Sequence, residues 1–449
     1  MQVKNTLIKL IVAAVAMVPT AVAAQTSSIN AFSPYTMYGI GEQNTPGTLS
    51  MRSMGGAGVA MRSPGTLNLL NPAAYSAAQQ KTFLFNFGLE GQNYYNSQKV
   101  AGESKNTAYN TFNFHDIAFQ LPLARRLGLG FSLTPYSSVG YRVSADEQSD
   151  DVWGNIGRVQ YLYAGEGDLT EVKLGIGWEV VKRVSIGVAA QYYWGDIERT
   201  YQTVVSNNIV NGGSVNTVTG TDSYGISRIK MQLGLQADLI QSERQVLTLG
   251  ATYDMGGNLR PSVNQTVVNG DIYGTVVRGD TTRMALKLPV QLGVGLYYQN
   301  AKIAAGVDYI YQNWENNESP KSVPGAVNVA YKNTNTVKLG FEYTPNRMDI
   351  RNYLKRWSYR VGFRYGTYYQ TFEGKTLSQY AVTAGFGMPV RFLGRSSIDF
   401  GVEFGQRGND SPLRIDNRQI GLVRQRYVKF SLGLTLFGED SWFVRYKYD

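Results

Sequence analysis

The sequence predicts an all-β chain: a closed antiparallel transmembrane β-barrel of about 14 strands with an N-terminal lumenal plug. Three observations predict it. From about Lys81 onward, bulky apolar residues alternate with small or polar ones, the period of two that marks a strand. The connections between these segments alternate between short and long, the asymmetry of outer-membrane barrels. An export signal precedes them all.

That signal occupies residues 1–24. Lys4 and Lys9 lead into an apolar core from Leu10 to Val18, Pro19 breaks it, and small residues follow to Ala24. This is the layout of a secretory signal peptide, too short for an anchor, and it makes Gln25 the expected mature N-terminus. Beyond it, no run approaches the roughly 20 apolar residues a membrane helix needs. The 449 residues contain no Cys, which excludes disulfides, thiolate metal sites and Cys nucleophiles. The one His, His115, excludes multi-His metal centres, so no metal or cofactor is expected. The net charge of +10 is scattered among strands and turns rather than clustered, which argues against a nucleic-acid partner.

The barrel is expected over 81–437, with a periplasmic C-terminal extension at 438–449. Val184, Ile186, Val188, Ala190, Tyr192 and Trp194 carry the bulk of one strand, with Ser185, Gly187, Ala189 and Gln191 opposed to them. Val290–Tyr298 and Val428–Leu436 repeat that register. The strands are expected at 81–95, 109–121, 126–142, 168–180, 183–202, 221–240, 244–265, 281–299, 302–316, 328–343, 357–373, 376–388, 395–407 and 424–437. Segment 157–164 reads as part of an outer loop, because a fifteenth strand there would break the alternation of loops. Long outer loops are expected at 96–108, 143–167, 203–220, 266–280, 317–327 and 408–423. A long inner turn at 344–356 and a short outer one near Glu373 disobey the asymmetry. With the apolar face toward lipid, the second face lines a lumen that carries Lys173, Glu179, Asp238, Asp308, Lys338, Glu342, Arg360, Arg364, Asp399 and Glu403. Trp178, Tyr192, Trp194, Tyr297, Tyr298 and Trp357 are candidates for the interfacial aromatic girdles.

Segment 25–80 does not read as wall. Pro34, Pro46, Pro64 and Pro72 each remove a ladder donor. Gly55, Gly56 and Gly58 lack the spacing and Lys of a phosphate loop; they suit tight bends or close approach to the wall. The segment is therefore expected inside the lumen.

Ser33-Pro-Tyr, Met54-Gly-Gly-Ala-Gly-Val-Ala60 and Asn71-Pro-Ala-Ala-Tyr75, set before about fourteen strands, resemble the hatch of FadL-type outer-membrane transporters. Phe341–Pro345, Tyr359–Tyr365 and Trp442–Tyr448 resemble an uncharacterised branch of such barrels. The resemblance covers the mature chain in architecture and the hatch in motif, and assigns Gly55, Gly56, Gly58, Asn71, Pro72 and Ala73 to the plug. It implies a channel in the outer membrane of a Gram-negative bacterium, with periplasmic termini, for passive uptake of hydrophobic, fatty-acid-like or hydrocarbon molecules. The partners implied are that substrate and outer-membrane lipid; envelope-protein partners are left unspecified. It also implies a kink in the third strand that opens the wall sideways. Here Pro135 removes a donor, and Ser137 and Gly140 suit a bulge, although Pro135 could also lie where pairing has already ended.

Lys338, Arg360 and Arg364 point inward by parity and are candidates for a substrate carboxylate; the alternative is that they pair with Glu342, Asp399 and Glu403. An enzyme is not expected, because Asp116 is read on the opposite strand face from His115 and so cannot orient it. Two other function classes stay open: a barrel subunit of an envelope or secretion assembly, and a polar-solute porin, which a plug disfavours.

Overall fold

The computed structural model describes residues 31–80, 82–100, 103–147, 150–206, 215–269, 276–278, 286–315, 329–390, 396–409, 412–415 and 418–436. The signal segment, residues 25–30 of the plug and the C-terminal extension lie outside the described residues. The main strands run antiparallel in chain order: β1 Leu84–Val100, β2 Glu103–Ala124, β3 Leu127–Asp146, β4 Arg158–Val181, β5 Val184–Ser206, β6 Val215–Gln241 and β7 Gln245–Asp254 form one half. The other half is β8 Val290–Asn300, β9 Ile303–Asn313, β10 Thr334–Tyr343, β11 Ser358–Phe372, β12 Lys375–Val390, β13 Ser396–Arg407 and β14 Arg424–Leu436. β14 returns to β1 from Phe85↔Leu436 to Ser97↔Arg424, closing a ring of fourteen strands. Closure leaves no ladder edge along that junction, the condition for strands to sit in hydrocarbon.

The outward faces are apolar. Leu174, Ile176 and Trp178 on β4, Ile186 and Val188 on β5, and Met231, Leu233 and Leu235 on β6 all stand exposed, a band whose solvent is lipid rather than water. Arg126 and Arg183 take positive φ in two-residue turns at one end of the ring, and Glu373 and Gly374 do so in the short β11–β12 turn at the other. The expected exceptions are both present: the long turn expected at 344–356 runs over 344–357, and a short turn lies at Glu373.

Several sequence expectations need correction. β1 and β2 run through much of the expected outer loop at 96–108, and β3, β4, β5 and β6, at 20, 24, 23 and 27 residues, through much of those at 143–167 and 203–220. Residues 158–164 belong to β4 itself, paired with β3 and β5. In these strand ends polar residues fall on the outward face too, as at Gln160 and Gln202, so the two-residue hydrophobic period falls silent while the ladder continues. The strand expected at 244–265 breaks after Asp254. Gly257 and Arg260 have positive φ, and Gly257–Asn258 turns inward to pair with Lys287–Leu288 before the chain rejoins β6 over Ser262–Asn269. Tyr297 is not a girdle residue: it faces the lumen and is buried. Trp178 and Tyr192 do stand on the lipid face, with Trp194 stacked against Tyr192.

The interior is filled in two storeys. Residues 49–77 of the plug lie toward the short-turn end, including helix α1 Leu49–Arg52 and a 3-10 turn, Pro72–Ala77. Above, Tyr35, Tyr38 and Ile40 of the plug pack with Tyr141, Tyr193, Tyr224, Leu259, Trp314, Tyr368 and Tyr369 into an apolar core.

Candidate functional site

The plug is seated by backbone groups and charges. Asn71 is fully buried; its Oδ1 accepts from Ala73 N at 3.0 Å, opening the Pro72–Ala77 turn. Its Nδ2 donates to Val59 O within the plug and to Leu235 O and Ala251 O on β6 and β7. Pro72 and Ala73 press so closely on β5 that a Cβ at Gly187 would strike them. Gly55 and Gly56 take positive φ, and Gly55 lies against Gly362 of β11, where a Cβ on the wall would meet its nitrogen. Gly58 N and Val59 N both donate to Asp308 Oδ2 of β9, at 2.6 and 2.9 Å. The plug's charges, Glu42, Arg52 and Arg62, each find a wall partner: Arg407 at 3.0 Å, Glu90, and Asp238 at 2.6 Å. Such neutralisation makes charge tolerable in a dry lumen.

Between the two storeys lies a cavity of about 180 Å³, lined by Glu171, Lys173, Asp254, Lys338, Arg364 and Lys429 among others. Its lining mixes polar and apolar side chains, and it falls short of the roughly 300–1,000 Å³ of small-molecule sites. Of the three cations considered for a substrate carboxylate, two are engaged by wall carboxylates. Arg360 donates to Glu342 at 2.7 Å and to Asp399, and Arg364 to Glu403 at 2.6 Å. Lys338 lines the cavity and has no ion pair among the described residues. The ladder explains this pairing: Arg360 sits opposite Glu342, and Asp399 lies two strands away on the same face.

The wall itself has an interrupted seam. The β2–β3 ladder runs from Ala124↔Leu127 only to Ile117↔Leu133, although both strands continue and pair with their other neighbours. On β3, Pro135 is opposite Thr170 and Ser137 opposite Leu169, so Tyr136 is the extra residue of a bulge. The plug occupies the abandoned side of β3. Glu42 and Gln43 pair with Ser138 and Ser137, Asn44 N donates to Tyr136 O, and Ser33 N donates to Gly140 O. Thr36 Oγ1 also donates to Gly140 O at 3.0 Å. Phe112 stands exposed on the lipid face of β2 beside this gap. A small void of about 30 Å³ behind it touches Asn44, Arg52, Glu90, His115, Pro135 and Ser138.

His115 needs a correction too. A register shift opposite Gly88 and Leu89 leaves it unpaired in the ladder, and it faces the lumen together with Asp116, which it contacts through Nδ1. Strand parity hid this, because a bulge reverses parity locally. The sequence reading also missed Glu42 and Asn44. A signal for Glu42 existed: it is the sole acidic residue of 25–80. Asn44 has no comparable mark.

A closed fourteen-strand ring with an N-terminal plug in its lumen is the fold of the FadL-type outer-membrane channels. The crystal structure of a Pseudomonas aeruginosa FadL homologue matches with a TM-score of 0.62 at 12% identity, covering 89% of this chain and 100% of that one. The CymD monoaromatic hydrocarbon channel matches with a TM-score of 0.54 at 13% identity, covering 89% and 98%. The Ralstonia pickettii toluene transporter TbuX matches with a TM-score of 0.51 at 15% identity, covering 88% and 98%. By its sequence the chain belongs to the BamG family, whose sequence profile matches residues 6–449. No curated protein matches it at the level of sequence.

Proposed function

We propose that the protein is an outer-membrane channel for passive uptake of hydrophobic small molecules, with a lateral route through the β2–β3 seam. The short-turn end faces the periplasm in this reading. The observation that carries it is the seam: two sound strands part above Ile117 and Leu133, and a plug segment takes over the pairing. Pro135, Ser137 and Gly140 are the residues at that parting. The structural neighbours that conduct or transport aromatic hydrocarbons support the substrate class by fold alone. The described cavity is smaller than sites that hold such a molecule, so passage requires the 33–44 segment to shift and the aromatic storey to open. Of the three candidate cations, Lys338 is the one without an ion pair among the described residues and so the one left to meet a carboxylated substrate.

A second reading, a non-conducting barrel subunit of an envelope assembly, draws on one observation: the plug and the aromatic storey fill the lumen. An open porin would need a clear bore instead. Uptake of a fluorescent fatty acid by proteoliposomes separates these readings. Pro135→Val restores a ladder donor at the kink, so under the channel reading it should narrow the gap and lower uptake. Unchanged uptake by the folded variant counts against the lateral route, and no uptake by the wild type counts against transport.

A further inference from the structure

The long 344–357 connection at the short-turn end is built rather than slack. Asn346 N donates to Lys355 O at 2.8 Å and closes its base. Asp349 Oδ1 accepts from Arg351 N and Asn352 N at 2.9 and 2.8 Å. Asn352 then caps the 3-10 turn Tyr353–Arg356 through Leu354 N.

This scaffold holds an unusual pair of features outward. Ile350 is 95% exposed and Met348 72%, with Leu354 beside them at 54%. Around them stand Arg351, Lys355 and Arg356; the single acid of the loop, Asp349, accepts the turn amides through Oδ1 and meets the exposed Lys355 through Oδ2 at 3.8 Å, and Arg356 lies over the Tyr353 ring. Water is a poor solvent for such apolar tips.

The loop is also continuous with the lipid-facing wall. Trp357 stacks on Phe386 with ring centroids 5.1 Å apart, and Phe386 on Phe400 at 5.3 Å. Tyr353 meets Trp357 edge-on and donates its hydroxyl to Pro389 O of β12 at 2.9 Å, so the turn is fastened to the rim of the barrel. Apolar tips ringed by cations beside an aromatic belt match the chemistry of a bilayer surface: acyl chains beneath, phosphates above.

We propose that the 346–357 loop is a membrane-interface foot that binds anionic phospholipid headgroups. Ile350 and Met348 enter the acyl boundary, and Arg351, Lys355 and Arg356 hold the phosphates. The foot is independent of whether the lumen conducts, so its test stands apart from the uptake assay.

The chain has no Cys, so Ile350→Cys gives a single site for an environment-sensitive fluorophore. In nanodiscs containing phosphatidylglycerol, the label should emit to the blue and be quenched by brominated acyl chains. Native mass spectrometry of protein from mixed micelles should show phosphatidylglycerol retained over phosphatidylcholine. R351Q/K355Q/R356Q should abolish that preference, at about fivefold in affinity per charge removed. R351Q alone should lower it in part, which keeps the test open if the triple variant fails to fold. A label that stays water-exposed and iodide-quenched would overturn the proposal, as would unchanged lipid preference in either variant. A label shielded only on adding a purified envelope protein would likewise overturn it, reassigning the loop to a protein partner.

Discussion

Two seams of the same wall differ sharply. Between β4 and β5 the ladder runs the full length of both strands, from Val181↔Val184 at the turn to Arg158↔Ser206. Between β2 and β3 it stops at Ile117↔Leu133, although β2 goes on to pair with β1 as far as Glu103, and β3 with β4 as far as Asp146. Strand propensity therefore does not explain the gap. A proline, a bulged tyrosine and a competing strand from the plug do, and the comparison teaches that the break belongs to the plug as much as to the wall.

The largest change should come from the charge that anchors the plug at the seam. Glu42→Ala leaves Arg407 buried without its partner, a loss of about 3–5 kcal/mol. Hydrogen exchange should rise at Ser137, Ser138 and Gly140 while the β4–β5 amides stay protected. If both seams loosen together, the distinction between them fails. Next comes Asp308→Asn, which keeps an acceptor for Gly58 N and Val59 N and removes the charge, at about 1 kcal/mol per bond. Its thermal transition in detergent should fall while exchange at the β2–β3 seam is unchanged. Release of the seam as well would make the plug one cooperative unit.

A milder test is pH. Burial pushes the Glu42 carboxyl up, but Arg407 outweighs this and holds it below its ordinary value. A carboxyl depressed in the folded state adds stability that is complete above its unfolded pKa of about 4.3 and is lost as pH falls through the lower folded value. Exchange at Ser138 should therefore accelerate only below about pH 4. In Glu42→Gln, that acid limb should be absent.

Much of the barrel was legible because the bilayer imposes a two-residue period wherever one face meets lipid, as in Val184–Trp194. The plug was legible from its prolines, and its Asn71 from a motif. Other features left no pattern in the chain. The tops of β1 and β2, such as Asn96–Gln98 and Ser104–Thr107, are polar on both faces, so the ladder there carries no hydrophobic signature. The inward fold at Gly257 and the bulge at His115 are single-residue events that a period cannot report. Which carboxylate takes Arg360 depends on a neighbour two strands away, and only register brings Asp399 there.

The central claim is that the 42–43 segment stoppers a lateral opening. Gln43 and Ser137 face each other across that junction, and the chain has no other thiol, so Gln43→Cys with Ser137→Cys can be locked by oxidation. In proteoliposomes supplied with a fluorescent fatty acid, uptake should be abolished in the oxidised protein and restored by a reductant. Equal uptake by the locked and reduced forms would contradict the account.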